Sequence, residues 1–353
     1  MGFLIFFLKR LIATIPLLIA ITLVAFILVQ AMPGDYADQW KRQTMMLGGI
    51  SEDEAEIQAQ DLRKKLGLDK PVYIQYLTWV KDVTLYWDLG DSFVQKRPVN
   101  DVVGDRIPRT LLLAFICYFN AVTIGILAGV YAATHQYQIG DQIATVLTFL
   151  AFSIPKFIIA IFILYFWAIK FHSPYYGSLF SQEYVLQEGW WSLAKTWDFF
   201  LHTWPIIAVG SFVGAGYQMR MMRGNLLDVL KMQFIETARA KGLKESKIVW
   251  KHGVPNALHP IIMNQGRSVS YLIEGEIEVA IVLAIPTVGP LVLSSVSSMD
   301  IYVASSIFMI LSLVLVIGNF VADCFLALLD LSLIHISEPT RQAEISYAVF
   351  CLK

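Results

Sequence analysis

Charge is what this chain has least of. Asp, Glu, Lys and Arg together make up 16% of its 353 residues, against about 25% in soluble domains, and residues 11–32 and 111–133 contain none. A soluble globular enzyme is therefore not the class to expect. Cysteine is scarce too. Cys117 and Cys324 fall in apolar stretches and Cys351 near the end, which suggests neither a disulfide framework nor metal-ligand spacing. The phosphate-cradling pattern G-x-x-x-x-G-K is missing, so the chain carries no ATP site of that kind. H-E-x-x-H and a Ser–His pairing are missing from the apolar stretches, and with them the mark of an intramembrane enzyme. No catalytic residue and no metal site are expected, and no nucleic-acid partner. Lys9-Arg10 precede an apolar run as in a secretory signal. That run is too long and lacks a small-residue cleavage site, so it reads as an uncleaved first span.

Apolar residues are in excess: 56% of the chain is hydrophobic and its mean hydropathy is +0.59. Runs reaching the ~20 residues that cross a bilayer as helix occur at 11–32, 111–133, 143–171, 199–219, 261–285 and 301–329. Barrel strands would be only ~10 residues and would alternate in polarity. The expected class is an all-α integral membrane protein with six transmembrane helices. An even count puts both termini on one side, and Lys9-Arg10 place the N-terminus in the cytoplasm by the positive-inside rule. The loop between spans four and five is then cytoplasmic. It carries Arg220, Arg223, Lys231, Arg239, Lys241, Lys244, Lys247 and Lys251 against Asp228, Glu236 and Glu245, so the two orientation signals agree. The short loop after span two has no Lys or Arg and adds nothing.

Residues 33–109 form a small extracytoplasmic insertion after an N-terminal helix, residues 1–32. Ser51-Glu-Asp-Glu54 is a capping box opening an amphipathic helix with Ala55, Leu62 and Leu66 roughly aligned, and Gly67 is placed to end it. Pro71 starts a second helix through Tyr73, Tyr76, Leu77 and Val80. A lid or vestibule and a plain packing domain are both open readings. The later loop, 173–198, is aromatic-rich, with Trp190 and Trp191 suited to a membrane interface.

The most informative run is Phe-Ile-Glu-Thr-Ala-Arg-Ala-Lys-Gly-Leu at 234–243. It is basic, helix-prone and broken by Gly242, and it lies between two spans, where a charged helix-turn-helix serves to touch a soluble partner. A juxtamembrane helix holding anionic lipid is the plainer alternative. Ala238 and Ala240 are read as keeping one helix face thin for close approach, Gly242 as permitting the left-handed turn that ends the helix, and Lys241, Lys244 and Lys247 as a basic rim.

This run resembles the cytoplasmic loop of binding-protein-dependent ABC importer permeases, whose loose pattern is E-A-A-x3-G. Glu236, Ala238 and Gly242 fit it. Thr237, Ala238, Arg239, Ala240, Lys241, Gly242 and Leu243 repeat the T-A-R-A-K-G-L wording of the oligopeptide/dipeptide (and nickel) permease family, with Glu236 where Arg is usual. His252, Asn256, Ala257, Leu258 and Pro260 match the stretch that follows, while Pro255 and His259 depart from it. Leu66-Gly-Leu-Asp69, Ser153-Ile-Pro155-x-Phe157, Pro286-x-x-Gly289 and Asn319, Asp323, Asp330 resemble further family segments in the same order. The resemblance implies a permease core of the MetI-like type over 110–330, with a coupling loop at about 220–260 that docks on an ATPase subunit. It further implies two ABC ATPase subunits that bind the ATP, no cofactor in this chain, a second homologous permease and an extracytoplasmic substrate-binding protein. The setting would be the cytoplasmic membrane of a bacterium or archaeon. Oligopeptides or dipeptides are the family's default cargo; nickel or another small solute is the alternative.

Ionisable residues inside spans are costly and therefore candidates for function. Lys156 lies in span three and Glu274, Glu276 and Glu278 in span five. Glu274 and Glu278 share a face by their i,i+4 spacing and Glu276 points elsewhere. These four are expected to line the translocation pathway, against the alternative of a structural ion pair or a snorkelling lysine. The family has an uncharged residue at Lys156, and its usual span-five Glu aligns with Ala280, so the resemblance gives these charges no role. Gly125 and Gly129 are spaced for close helix packing; His202 is read as interfacial rather than a ligand, and Arg267 as snorkelling near the inner edge of span five. An ion-driven secondary transporter would suit buried carboxylates, but it predicts internal repeats and paired broken helices, which are not evident. After Asp330 the wording departs from the family, and residues 331–353 are read as a non-native tail.

Overall fold

The computed structural model describes residues 2–48, 50–185 and 192–329; the side chains of 2–11, 13, 264–275 and 321–329 lie outside the described set. Helix α1 spans Gly2–Gln30. The chain then enters the 33–109 insertion, whose helices are set by their caps. Helix α2 (Tyr36–Met46) opens on a capping box made by Asp35 and Asp38. Helix α3 (Glu52–Lys65) opens on the expected Ser51/Glu54 box, and Gly67 follows at φ +68°. Arg63 ties the hairpin shut, bonding Asp35 at 2.5 Å and Asp38 at 2.7 Å. Pro71 caps α4 (Val72–Tyr86), which buries Gln75, Tyr76, Trp79 and Val83. Tyr73 and Leu77 of the same helix are exposed. The inward stripe follows Tyr76, Trp79 and Val83 at i, i+3 and i+7 instead, because those side chains meet Phe26 of α1. Helix α5 (Val99–Gly104) completes the insertion.

Helix α6 runs Ile107–Thr134. The next apolar stretch was expected as one span over 143–171, and the structure breaks it. Helices α7 (Ile139–Ser153) and α8 (Lys156–Leu164), the latter extended by a π-helical turn Tyr165–Lys170, meet at 99°. Pro155 has no N–H to continue the ladder and forces its predecessor out of helical geometry; Ile154 sits at φ −99°, ψ 120°. A short α9 (Gln182–Val185) precedes α10 (Leu193–Val229), which is longer at both ends than the apolar stretch 199–219. Helices α11 (Gln233–Ala240) and α12 (Glu245–Lys247) and a π-helical turn Ile248–Gly253 lead into α13 (Val254–Val282). Helices α14 (Val288–Ser297) and α15 (Ile301–Leu329) follow. Among the described residues, α10, α15 and the α5–α6 stretch are long and apolar enough to cross a bilayer, and the bent α7–α8 pair makes a fourth. Trp190, Trp191 and residues 330–353 lie outside the described residues.

Helices α6 and α10 approach through small residues. A Cβ added at Gly125 would lie 2.6 Å from the Ala215 carbonyl oxygen, and one at Gly129 2.8 Å from that of Met219. Bonds to neighbouring helices mark the two ends of this pair. At the start of α6, Thr110 Oγ1 accepts from the Val288 N–H at 2.9 Å. Near its far end, about 30 Å along the helix at 1.5 Å per residue, Gly129 meets Met222 and Arg223. There Arg223 grips the buried Asp141 with two bonds of 2.7 and 2.8 Å. The insertion belongs to the Thr110 end: Ser92 Oγ donates to Asp300, just before α15, at 2.6 Å. The 233–253 segment belongs to the Arg223 end, packed beneath the last turns of α10. The 33–109 and 233–253 segments thus sit at opposite ends of α6.

Candidate functional site

The T-A-R-A-K-G-L run has a local physical explanation. Ile235 and Ala238 of α11 are buried together with Ile248, against the half-buried Leu230 and Leu243. Lys241 ends the helix and Gly242 takes φ +74°. The Gly242 N–H then bonds the Arg239 carbonyl at 2.9 Å and the Leu243 N–H bonds the Ala238 carbonyl at 3.3 Å. This is a Schellman ending, with Leu243 supplying the hydrophobic contact back onto the helix. Arg239 closes the corner, bonding Glu245 at 2.5 and 3.2 Å and reaching the Leu230 carbonyl. That hydrogen bond holds the Glu245 carboxyl below the ordinary carboxylate value. Four of the seven residues therefore shape the corner: Ala238, Arg239, Gly242 and Leu243.

The others face out. Glu236, Thr237, Ala240 and Lys241 are exposed, as are Phe234, Lys244, Lys247 and Trp250. Ala238 and Ala240 do not share a face. Two residues apart on a helix is about 200° of rotation, so Ala238 packs inward and only Ala240 is presented to solvent. Among the matching residues further on, His252 is half-buried and Asn256 is exposed, its side-chain N–H bonded to the His252 carbonyl at 2.8 Å. The outward surface is a short helix with one small and several basic or polar residues, flanked by the exposed aromatics Phe234 and Trp250. Its inner side is seated on Leu230, Leu243 and Ile248.

The charges expected inside the membrane differ in burial. Lys156 is the first residue of α8, directly after the bend, half-buried and without an ion pair or hydrogen bond among the described residues. Glu276 is 1% exposed. Neither carboxylate oxygen has a hydrogen bond of normal geometry, nor does the buried hydroxyl of neighbouring Thr287. Glu278, two residues on, is exposed. The side chains of Glu274 and Arg267 lie outside the described residues. Alternation along α13 thus turns Glu276 into the subunit and Glu278 out of it. Lys156, Glu276 and Glu278 make no ion pair with one another among the described residues.

Three polar contacts escaped the reading of the sequence. His202, taken as interfacial, is 2% exposed, with Nδ1 2.9 Å from the Asp198 carbonyl and its ring edge-on to Tyr175. Asp198 in turn accepts from Ser181 N–H and Oγ at 2.8 and 2.6 Å, pinning the 173–185 loop to α10. The i,i+4 spacing of Asp198 and His202 was a visible signal for part of this. The Asp141–Arg223 and Ser92–Asp300 bonds join residues far apart in the chain, and no local pattern announces them.

Comparison with known proteins gives a consistent result. Residues 125–335 match the family model described as binding-protein-dependent transport system inner membrane component, and residues 3–114 match the model for the N-terminal part of such membrane components. The oligopeptide transport system permease protein AppB of Bacillus subtilis is 31% identical over 336 residues, covering 92% of this chain and 98% of that protein. The glutathione transport system permease protein GsiC of Escherichia coli K12 is 30% identical over 325 residues, covering 91% and 96%. Among solved structures, an inward-facing form of the MetNI methionine ABC transporter aligns with a TM-score of 0.47 at 18% identity, covering 64% of this chain and 94% of that one.

Proposed function

The chain belongs to the family of binding-protein-dependent transport system inner membrane components, and from that premise we propose how it works. It is the permease subunit of an ABC importer; it forms part of the translocation pathway and performs no catalysis of its own. The cargo we infer is a peptide, oligopeptide or dipeptide, because the two relatives above carry the names of oligopeptide and glutathione permeases. Nickel or another small solute is the second reading.

The observation that carries the mechanism is the Schellman-capped α11, seated on α10 with its outer face bare. We assign it as the contact with one of two ATPase subunits, which bind and hydrolyse the ATP. The inward residues Ile235, Ala238 and Leu243 transmit a push on α11 to Ile248 and Leu230, and so to the ends of α10 and α13. Arg239–Glu245 keeps the corner stiff. Six spans are assigned: α1, α6, the bent α7–α8 pair, α10, α13 and α15. The N-terminus and the 220–260 loop face the cytoplasm, and the 33–109 insertion faces outward toward the substrate-binding protein. A second homologous permease completes the pathway. Exposed Glu278 and half-buried Lys156 are the charges placed to meet cargo or partner permease; Glu276 is enclosed and acts through the α13–α14 junction.

The direct test is a cysteine at Ala240 in the membrane-assembled importer. Ala240→Cys should crosslink to an ATPase subunit, and a cysteine at inward Ala238 should not. Crosslinking from Ala238 alone, or from neither site in a complex that contains the ATPase, refutes the docking assignment.

A further inference from the structure

The insertion carries a cleft that the mechanism above does not use. It lies between α2–α3 and the turn at 91–98 and has a volume of about 550 Å3, within the range of roughly 300–1,000 Å3 found for small-ligand sites. Its walls are fixed by named bonds. Tyr36 of α2 donates its hydroxyl to the Phe93 carbonyl at 2.8 Å, and the two rings pack 5.3 Å apart. Ser92 is held by Asp300, so the turn is anchored to the head of α15. Ion pairs brace the insertion around it: Arg63 with Asp35 and Asp38, Lys41 with Glu56, and, at the rim of the cleft itself, Arg97 with Asp105. The four other charged residues lining the cleft are unpaired. Asp61 and Lys65 on α3, and Asp91 and Lys96 on the turn, make no ion pair or side-chain hydrogen bond among the described residues. Both walls therefore present one free anion and one free cation, beside the half-buried ring of Trp40.

We propose that this cleft is an extracytoplasmic subsite for a short zwitterionic peptide, with Lys65 and Lys96 taking its carboxylate, Asp61 and Asp91 its ammonium group, and Tyr36 and Trp40 facing its side chains. The inference rests on the peptide reading above and adds a place where cargo is held before it enters the helical core. Free charges of both signs in one rigid concavity match a molecule that carries one of each at its two ends. A ligand with a single charge would leave half of the set without a partner.

The test titrates trialanine, N-acetyl-trialanine and trialanine amide calorimetrically against the assembled importer in nanodiscs, without its binding protein. Trialanine should bind. Blocking either end should weaken binding about threefold or more, the worth of one or two exposed ion contacts. In Asp61→Asn/Asp91→Asn, acetylation should no longer matter; in Lys65→Gln/Lys96→Gln, amidation should no longer matter. No binding of trialanine, or equal binding of free and blocked peptides, overturns the subsite. The blocked peptides are compared on the unaltered chain, so the test holds even where a variant fails to fold. ATP-driven trialanine uptake with the binding protein present is measured on the same preparation. Uptake without binding at the cleft overturns the subsite alone. Failure to take up any peptide overturns both the peptide reading and the subsite.

Discussion

Alanine at Gly129 tests the packing on which the helical core depends. The added Cβ would sit 2.6 Å from the Met222 Cβ, 2.8 Å from the Met219 carbonyl oxygen and 3.1 Å from the Arg223 nitrogen. Ordinary contact between carbon atoms is about 3.5–4.0 Å, so α6 and α10 must separate by roughly 1 Å. Two of those three atoms are backbone and cannot rotate away. Overpacking of this kind costs about 1–3 kcal/mol. Alanine also gains about 1 kcal/mol over glycine from helix propensity, which hides part of the loss. The control is Gly224, on the same helix pair but with nothing within 4 Å of its added Cβ. The difference between Gly129→Ala and Gly224→Ala isolates the packing cost, predicted as about 1–3 kcal/mol. Gly125→Ala should match Gly129→Ala, and Gly216→Ala, whose contacts begin at 3.5 Å, should resemble the control. The double variant Gly125→Ala/Gly129→Ala should cost less than the sum, because one displacement of α6 relieves both sites. The assay is thermal unfolding of the purified complex in nanodiscs. Equal stability of Gly129→Ala and Gly224→Ala would refute the close approach.

Other sites give independent expectations. Asp141 is 3% exposed and depends on Arg223; Arg223→Gln strands it and should cost about 2–3 kcal/mol, toward the lower end for buried pairs because Arg223 is partly exposed. The further change Asp141→Asn should restore part of the loss in the same melt. Asp300→Ala removes the acceptor for Ser92 Oγ and Val94 N–H, so amide exchange across 91–98 should quicken by one to two orders of magnitude, for a loss of about 1–3 kcal/mol, while α11 stays protected. For Asp35, desolvation pushes the carboxyl up, but hydrogen bonds and charge from Arg63 and the Asp38 N–H outweigh it and leave the group below 3.8. A depressed folded value means the contribution is fully present above the unfolded value and is lost as pH falls through the folded one. The α2–α3 hairpin should therefore be indifferent to pH from 7 to 5 and loosen only below about 4, as followed by Trp40 fluorescence. Loosening at pH 6 would contradict the assignment.

Much of the fold was legible because its signals were local. The Ser51/Glu54 box, Gly67 and Pro71 each punctuate the chain through their own backbone chemistry, and each lands where expected. Long apolar runs announced helices, while the Thr110–Val288 and Arg223–Asp141 contacts, between residues far apart in the chain, carried no such local signal. The bend at Pro155 was written in the chain, yet hydropathy alone treats 143–171 as one uniform stretch. Which face of α4 turns inward was not legible, since Tyr73, Tyr76, Leu77 and Trp79 are all apolar enough and only contact with Phe26 selects among them. In the 233–253 segment, the glycine stop could be read directly. The division of labour between Ala238, buried, and Ala240, exposed, needed the helix phase. Among the span-five glutamates, the sequence separates Glu276 from its neighbours by phase, but only packing against Thr287 and α14 shows which one is enclosed.

The central claim is that ATP hydrolysis elsewhere drives this chain through the corner at Gly242. That residue holds φ +74°, and an added Cβ would meet nothing within 4 Å, so Gly242→Pro disturbs the backbone turn, with its fixed φ and lost N–H, and leaves the helical core untouched. The decisive measurement is ATP-driven peptide uptake by the reconstituted importer, alongside its ATPase rate with loaded binding protein. Gly242→Pro is expected to assemble with its partners but to lose uptake, together with the stimulation of hydrolysis by cargo. Uptake and stimulated hydrolysis at the rates of the unaltered protein would contradict it.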